Sequence, residues 1–172
     1  NINLVLTRMN INQVCERLQI LLKVRLQNNI SPIIVGISGG QGSGKSTLSS
    51  VLSKKLEIDK IPSAIIILDD FYLTKDERKK LSRKIHPLAV RRGVPGTHDT
   101  AFLNRVLSLL RKQDFPLPMI VPSFEKGIDD RKPPEFWPSI TEYPRVVFIE
   151  GWCIGAFSES LTATPETEWE LN

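Results

Sequence analysis

Residues 39–46 read Gly-Gly-Gln-Gly-Ser-Gly-Lys-Ser. This is the spacing G-x-x-x-x-G-K-[ST], a loop suited to holding phosphate. Glycines let the backbone curl until successive N–H groups point inward as an anion nest. A helix opening at about Lys45 adds its positive end. Gly39, Gly40, Gln41, Gly42, Ser43, Gly44, Lys45, Ser46 and Thr47 are therefore the candidate phosphate-binding residues. Lys45 is expected to reach the β- and γ-phosphates of a nucleotide and to act in catalysis, and the Ser46 hydroxyl to ligand Mg²⁺. ATP with Mg²⁺ is the cofactor these residue types call for.

Two further groups carry charge suited to phosphate chemistry. Asp69 and Asp70 follow an apolar run, at what would be the carboxyl end of a strand. Ligands of open α/β sheets bind at that edge. A carboxylate there could accept the proton of an attacking hydroxyl or bind Mg²⁺ through water, which makes Asp69 a catalytic candidate and Asp70 a metal candidate. Glu150 ends a third apolar run, Val146-Val147-Phe148-Ile149, and joins Ser46 and Asp70 as a metal candidate. An acid in that place is usually Asp, but the longer arm of Glu can still reach a metal-bound water. Arg91, Arg92 and His98 in one loop, and Lys126 and Arg131 in another, are candidates for holding the anionic part of a substrate.

The elements that must position these groups follow from periodicity. Ile11, Val14, Leu18, Leu21 and Leu22 predict an amphipathic helix near residues 10–27, covering the core. Pro32–Ser38, Ala64–Leu68 and Arg145–Glu150 read as buried strands. Leu48, Val51, Leu52 and Leu56 mark a helix after the glycine loop. Thr74 with Glu77 forms a capping box for a charged helix reaching toward Ile85. Asp99 caps a helix whose apolar face is Phe102, Leu103, Val106, Leu109 and Leu110. Met119–Val121 reads as a brief strand, and 123–138 as an irregular loop. Trp137, Trp152 and Cys153 are expected to pack rather than to react.

Strands alternating with helices predict an α/β class: a P-loop NTPase fold, three layers α/β/α, with a mostly parallel sheet. In such sheets the phosphate-binding strand lies in the middle. No apolar run or periodicity follows Ala156, so the fold is expected to be incomplete at the C-terminus. The organisation is a helix over residues 1–30 packed on a domain over 31–172, the front part of that fold.

Composition narrows the function classes. The chain has 172 residues, 41% hydrophobic and 24% charged, in the globular range. Two cysteines, Cys15 and Cys153, exclude a disulfide scaffold and point to a reducing compartment. Two histidines and no CxxC pair argue against structural zinc. The net charge is +4, but basic residues are spread among acidic ones, so neither nucleic acid nor membrane is an expected partner. The start, Asn1-Ile2-Asn3-Leu4-Val5-Leu6, lacks the pattern of a secretory signal. A cytoplasmic location is expected, with an organellar one left open. Oligomeric state is not encoded in any of these features.

The motifs together resemble a known group. GISGGQGSGKST, LDDFY and VVFIEGW are similar to the P-loop kinases related to phosphoribulokinase, uridine kinase and pantothenate kinase. HPLAVRRGVPGTHDTAFL, PSFEKGIDDR and EGWCIGA resemble, more narrowly, the D-glycerate 3-kinase family. The resemblance runs from about Ile33 to Ala156 and implies transfer of the ATP γ-phosphoryl group to a hydroxyl of a small acceptor, D-glycerate first. It implies Asp69 as base, Glu150 as the metal-side acid, and Lys126 and Arg131 as cations near substrate or phosphate. Glu125 stands where the family pattern implies Asp. The alternatives are the same fold acting on uridine or pantothenate, and an ATP-binding module without catalysis.

Overall fold

The computed structural model describes residues 10–155. The readings made on the first six residues and on those after Ala156 lie outside that range. Helix α1 is Ile11–Gln27. Asn10 caps it, and the Gln13 side chain accepts from the Asn10 N–H in return, a capping box built on Asn and Gln. Strand β1 is Ile33–Ser38, helix α2 Lys45–Ile58 and strand β2 Ser63–Ile67. Helix α3 is Lys75–Lys84, with the capping box of Thr74 and Glu77 in place. Helix α4 is Thr100–Lys112, capped by the Asp99 side chain on the Phe102 N–H. Four two-residue strands follow: β3 Met119–Ile120, β4 Phe124–Glu125, β5 Asp130–Arg131 and β6 Ser139–Ile140. The last element among the described residues is strand β7, Val146–Gly151.

The main sheet is parallel, in the order β1-β7-β2. β1 runs beside β7 from Ile33↔Val146 to Ser38↔Gly151, and β2 runs on the other side from Ser63↔Val146 to Ile67↔Glu150. Side chains of β7 alternate between two apolar cores, as a period of two requires. Val146 and Phe148 pack with Cys15 and Leu22 of α1 and with Leu52 and Leu56 of α2. Val147 and Ile149 pack with Leu103, Val106 and Leu110 of α4. Helices thus cover both faces, which is the expected three-layer P-loop arrangement.

The sequence reading puts the phosphate-binding strand in the middle of a complete sheet, with 64–68 and 145–149 as two of its companions and no candidate for its other side after residue 155. Among the described residues the middle belongs to β7, and β1 is paired on one side only. The physical reason is visible in the burial of β7, whose six residues are all shielded. Only a strand apolar on both faces suits that place. One correction concerns residues 123–138, read from the sequence as an irregular loop. They hold the antiparallel hairpin β4–β5, in register Phe124↔Arg131, and a single turn of 3₁₀ helix at Pro134–Phe136. Polar anchors hold this hairpin, so no apolar alternation announced it.

Candidate active site

The carboxyl ends of β1, β2 and β7 lie in register at one edge of the sheet. A cleft of about 530 Å³ opens there. The glycine loop forms one wall. Gly42 and Gly44 hold φ of +74° and +85°, a conformation strained for residues with a Cβ. Gly44 sits directly before α2, so the first N–H groups of that helix close the loop. Lys45 donates from Nζ to the Gly40 carbonyl at 2.7 Å. Gly151 allows β7 to pass close to the turn after β2, since a Cβ there would lie 2.7 Å from Leu68 Cβ.

Glu150 stands on the cleft wall but is only 2% exposed. Its Oε1 accepts from Ser46 Oγ at 2.7 Å and its Oε2 from Ser49 Oγ at 2.7 Å. Among the described residues no group of three His, Cys, Asp or Glu side chains gathers as a metal cage. Mg²⁺ does not need one: it prefers hard oxygens, keeps waters, and is held by one or two side chains plus substrate phosphates. A hydroxyl and a carboxylate beside a phosphate loop fit that description. Ser46 and Glu150 are the residues that could hold Mg²⁺, which would offset the charge of nucleotide phosphates on the loop.

The opposite side of the cleft is built by the turn after β2 and by the β4–β5 hairpin. Asp69 accepts from Lys126 Nζ at 2.9 Å. Its neighbour Asp70 also lines the cleft, but its Oδ1 accepts from the Phe124 N–H at 2.8 Å. Burial raises the Asp70 pKa, and the Phe124 N–H opposes the shift. Two adjacent acids thus differ in environment: one faces a cation in the cleft, the other ties the hairpin to the sheet. Arg92 Nη1 donates to Asp129 Oδ1 at 2.6 Å and to the Lys126 carbonyl at 3.3 Å, and its side chain lines the cleft.

A phosphate loop, a metal-suited pair and a carboxylate–lysine pair therefore share one cleft, an arrangement that invites comparison with known proteins. No family model matches the chain. An uncharacterized kinase, mug58, of Schizosaccharomyces pombe is 41% identical over 133 residues, covering 72% of this chain and 47% of its own length. The chloroplastic D-glycerate 3-kinase of Arabidopsis thaliana is 34% identical over 135 residues, 74% of this chain and 30% of its own. The solved D-glycerate 3-kinase of Cryptococcus neoformans superposes with a TM-score of 0.73 at 27% identity, over 86% of this chain and 55% of that one. The chain is a homologue of the P-loop kinases, D-glycerate 3-kinase among them. It spans less than half the length of the first two relatives.

In this P-loop kinase homologue, nine of the candidate site residues line the cleft: Gln41, Gly42, Lys45, Ser46, Asp69, Asp70, Arg92, Lys126 and Glu150. Gly39, Gly40, Ser43, Gly44 and Thr47 of the loop and its helix do not line it, and neither do Arg91, His98 and Arg131. Arg91 lies in a separate hollow with Lys75. Arg131 donates from Nε to the Tyr72 carbonyl at 2.8 Å and from Nη2 to Asp99 Oδ2 at 3.0 Å, joining the hairpin to the start of α4. His98 stacks on Tyr72 at 4.1 Å between ring centroids.

Sequence reasoning missed two residues that the cleft contains and one behind it. Trp152, expected to pack, is 47% exposed and lines the cleft. Tyr72 was not singled out. Burial, and then the charge of Asp69, raise the pKa of its phenol, and it too lines the cleft. Its signal was its place, directly after the acids at a strand's carboxyl edge. Ser49 was the third. It stands one helical turn beyond Ser46, on the same helix face.

His98 gives a pH prediction. Its Nε2 is buried without a partner among the described residues. Burial lowers its pKa from 6.5, and the Asp69 charge opposes the shift. A lowered folded-state pKa means that the unfolded chain binds the proton more readily. The associated stability is complete above about pH 6.5 and declines as pH falls toward the folded-state value. His98→Phe keeps the stacking and removes the titration. Urea midpoints measured from about pH 7.5 to 5 will fall less steeply for this variant. Equal slopes would place the acid sensitivity elsewhere.

Proposed function

We infer that this chain binds MgATP and transfers the γ-phosphoryl group to a hydroxyl of a small acceptor carrying a carboxylate, with D-glycerate the first candidate. The observation that carries the reading is the Asp69–Lys126 pair, 2.9 Å apart, in the same cleft as Lys45 and Ser46. The acceptor hydroxyl oxygen attacks the γ-phosphorus, the bond to the bridging oxygen of ADP breaks, and the hydroxyl proton passes to an Asp69 oxygen. Lys45 leaves its Gly40 carbonyl for the phosphates and balances their charge. Lys126 and Arg92, the cations that line the cleft beside Lys45, hold the acceptor's carboxylate. Phosphoryl transfer asks mainly for positioning and charge, which is what these side chains supply. The names of two relatives, both D-glycerate 3-kinases, support glycerate as the acceptor.

ADP release from MgATP tests the reading, with D-glycerate, uridine, pantothenate or no acceptor side by side. Glycerate-dependent release is expected. Lys45→Ala will lower it by about 10²–10³-fold, the scale of losing one preorganised donor to the reacting charge. Release with uridine alone would overturn the carboxylate-acceptor reading, because cations left without an anionic partner disfavour a neutral substrate, whereas release with pantothenate alone, itself a hydroxy carboxylate, would overturn only D-glycerate as the acceptor. MgATP binding without release for any acceptor would overturn the enzymatic reading for this chain.

A further inference from the structure

We propose that Ser49 is a positioning residue for the metal side of the site: it fixes the second carboxylate oxygen of Glu150 and so sets how readily the chain takes up Mg²⁺ with its nucleotide. The proposal rests on the reading of the cleft as a MgATP site.

Ser49 is 1% exposed, and its Oγ lies 2.7 Å from Glu150 Oε2 and 3.2 Å from the Ser46 carbonyl. A serine hydroxyl has one proton to give. The shorter contact, to a carboxylate oxygen, is the stronger acceptor and takes it. Ser46 takes the other oxygen, at 2.7 Å. Two hydroxyls one helical turn apart on α2 therefore grip both oxygens of one buried acid at the end of β7. Among the described residues Glu150 enters no ion pair, so these hydroxyls are its polar support.

Glutamate has one more rotatable bond than aspartate, and each unfixed torsion spreads the carboxylate over several positions. Ser46 alone fixes one oxygen and leaves the group free to pivot about it. Ser49 removes that pivot. The Ser46 oxygen keeps lone pairs free for a cation while its proton stays on Glu150. Groups that orient a metal ligand typically alter metal affinity by 10–100-fold when removed.

The test is nucleotide binding by the 172-residue chain, followed with a fluorescent ATP analogue, first in EDTA and then with increasing Mg²⁺. For Ser49→Ala the Mg²⁺ concentration at half-maximal enhancement is expected to rise roughly tenfold, while affinity in EDTA stays within about twofold of the parent. Ser53→Ala is the control. Ser53 lies on the same helix and bonds Ser63 Oγ at 2.9 Å, away from Glu150, and its removal leaves the Mg²⁺ midpoint unchanged. An unchanged midpoint in Ser49→Ala overturns the proposal. So does an equal loss with and without Mg²⁺, or an equal shift in Ser53→Ala, since either marks general loosening of α2. If the parent chain binds nucleotide without any response to Mg²⁺, the MgATP reading falls as well; a responsive parent with an unresponsive Ser49→Ala shift removes only the role of Ser49.

Discussion

Asp69→Asn is expected to cut acceptor-dependent turnover by about 10²–10⁴-fold, the contribution usual for a positioned general base. The substitution keeps the size of the side chain and one acceptor oxygen. It removes the capacity to take a proton and weakens the 2.9 Å contact with Lys126, which would then face a neutral amide. ATP affinity should stay within about threefold, because Asp69 belongs to the turn after β2 and not to the glycine loop. Separate determination of kcat, acceptor KM and nucleotide affinity distinguishes three outcomes. A large fall in kcat with little change in KM supports the base. A rise in acceptor KM at constant kcat would make Asp69 an acceptor-binding group acting through Lys126. Turnover near that of the parent would remove Asp69 from the chemistry, leaving phosphate positioning by Lys45 and its loop as the remaining catalytic resource.

The parts of this site that were legible in the sequence share one property: each is written in neighbouring residues. The glycine loop, its lysine and serine, and the apolar strand ending in Glu150 are contiguous patterns, and the structure puts them at one sheet edge. The two helix caps at Thr74 and Asp99 were readable for the same reason, since each joins residues three positions apart. What escaped depends on pairs far apart in the chain. Ser49 meets Glu150 across 101 positions, and Asp70 meets the Phe124 N–H across 54. No periodicity reports such meetings. Trp152 shows a different limit. It follows a fully buried strand and reads as core, yet the chain turns at Gly151 and leaves the indole on the cleft wall. The central place of β7 was also hidden, because parallel partners are chosen by the sheet and not by the strand alone.

The burial of Arg78 is the sharpest case, and it carries the largest stability effect expected here. It sits in the run Lys75-Asp76-Glu77-Arg78-Lys79-Lys80, which reads as a solvated helix face, yet its exposure is 0%. The guanidinium donates from Nε to the Val90 carbonyl, from Nη1 to the Leu73 carbonyl, and from Nη2 to both the carbonyl and Oδ2 of Asp129. It also lies over the Phe124 ring at 5.5 Å. One side chain thereby joins α3, the turn at residues 87–90, and the hairpin that carries Lys126 over Asp69. Asp129 is 35% exposed and keeps its bond from Arg92, so the cost of removing Arg78 falls on the Val90, Leu73 and Asp129 carbonyls left without their donor and is about 2–3 kcal/mol. Arg78→Ala is expected to lose that much in urea unfolding. Arg78→Lys should recover little, because one ammonium cannot face three carbonyls and a carboxylate arranged for a planar fork. Arg78→Ala combined with Asp129→Ala should cost less than the sum of the single changes, since the pair is removed together. A loss below about 1 kcal/mol in Arg78→Ala would show that water replaces the guanidinium, and that the hairpin is held chiefly by Asp70 and Arg131.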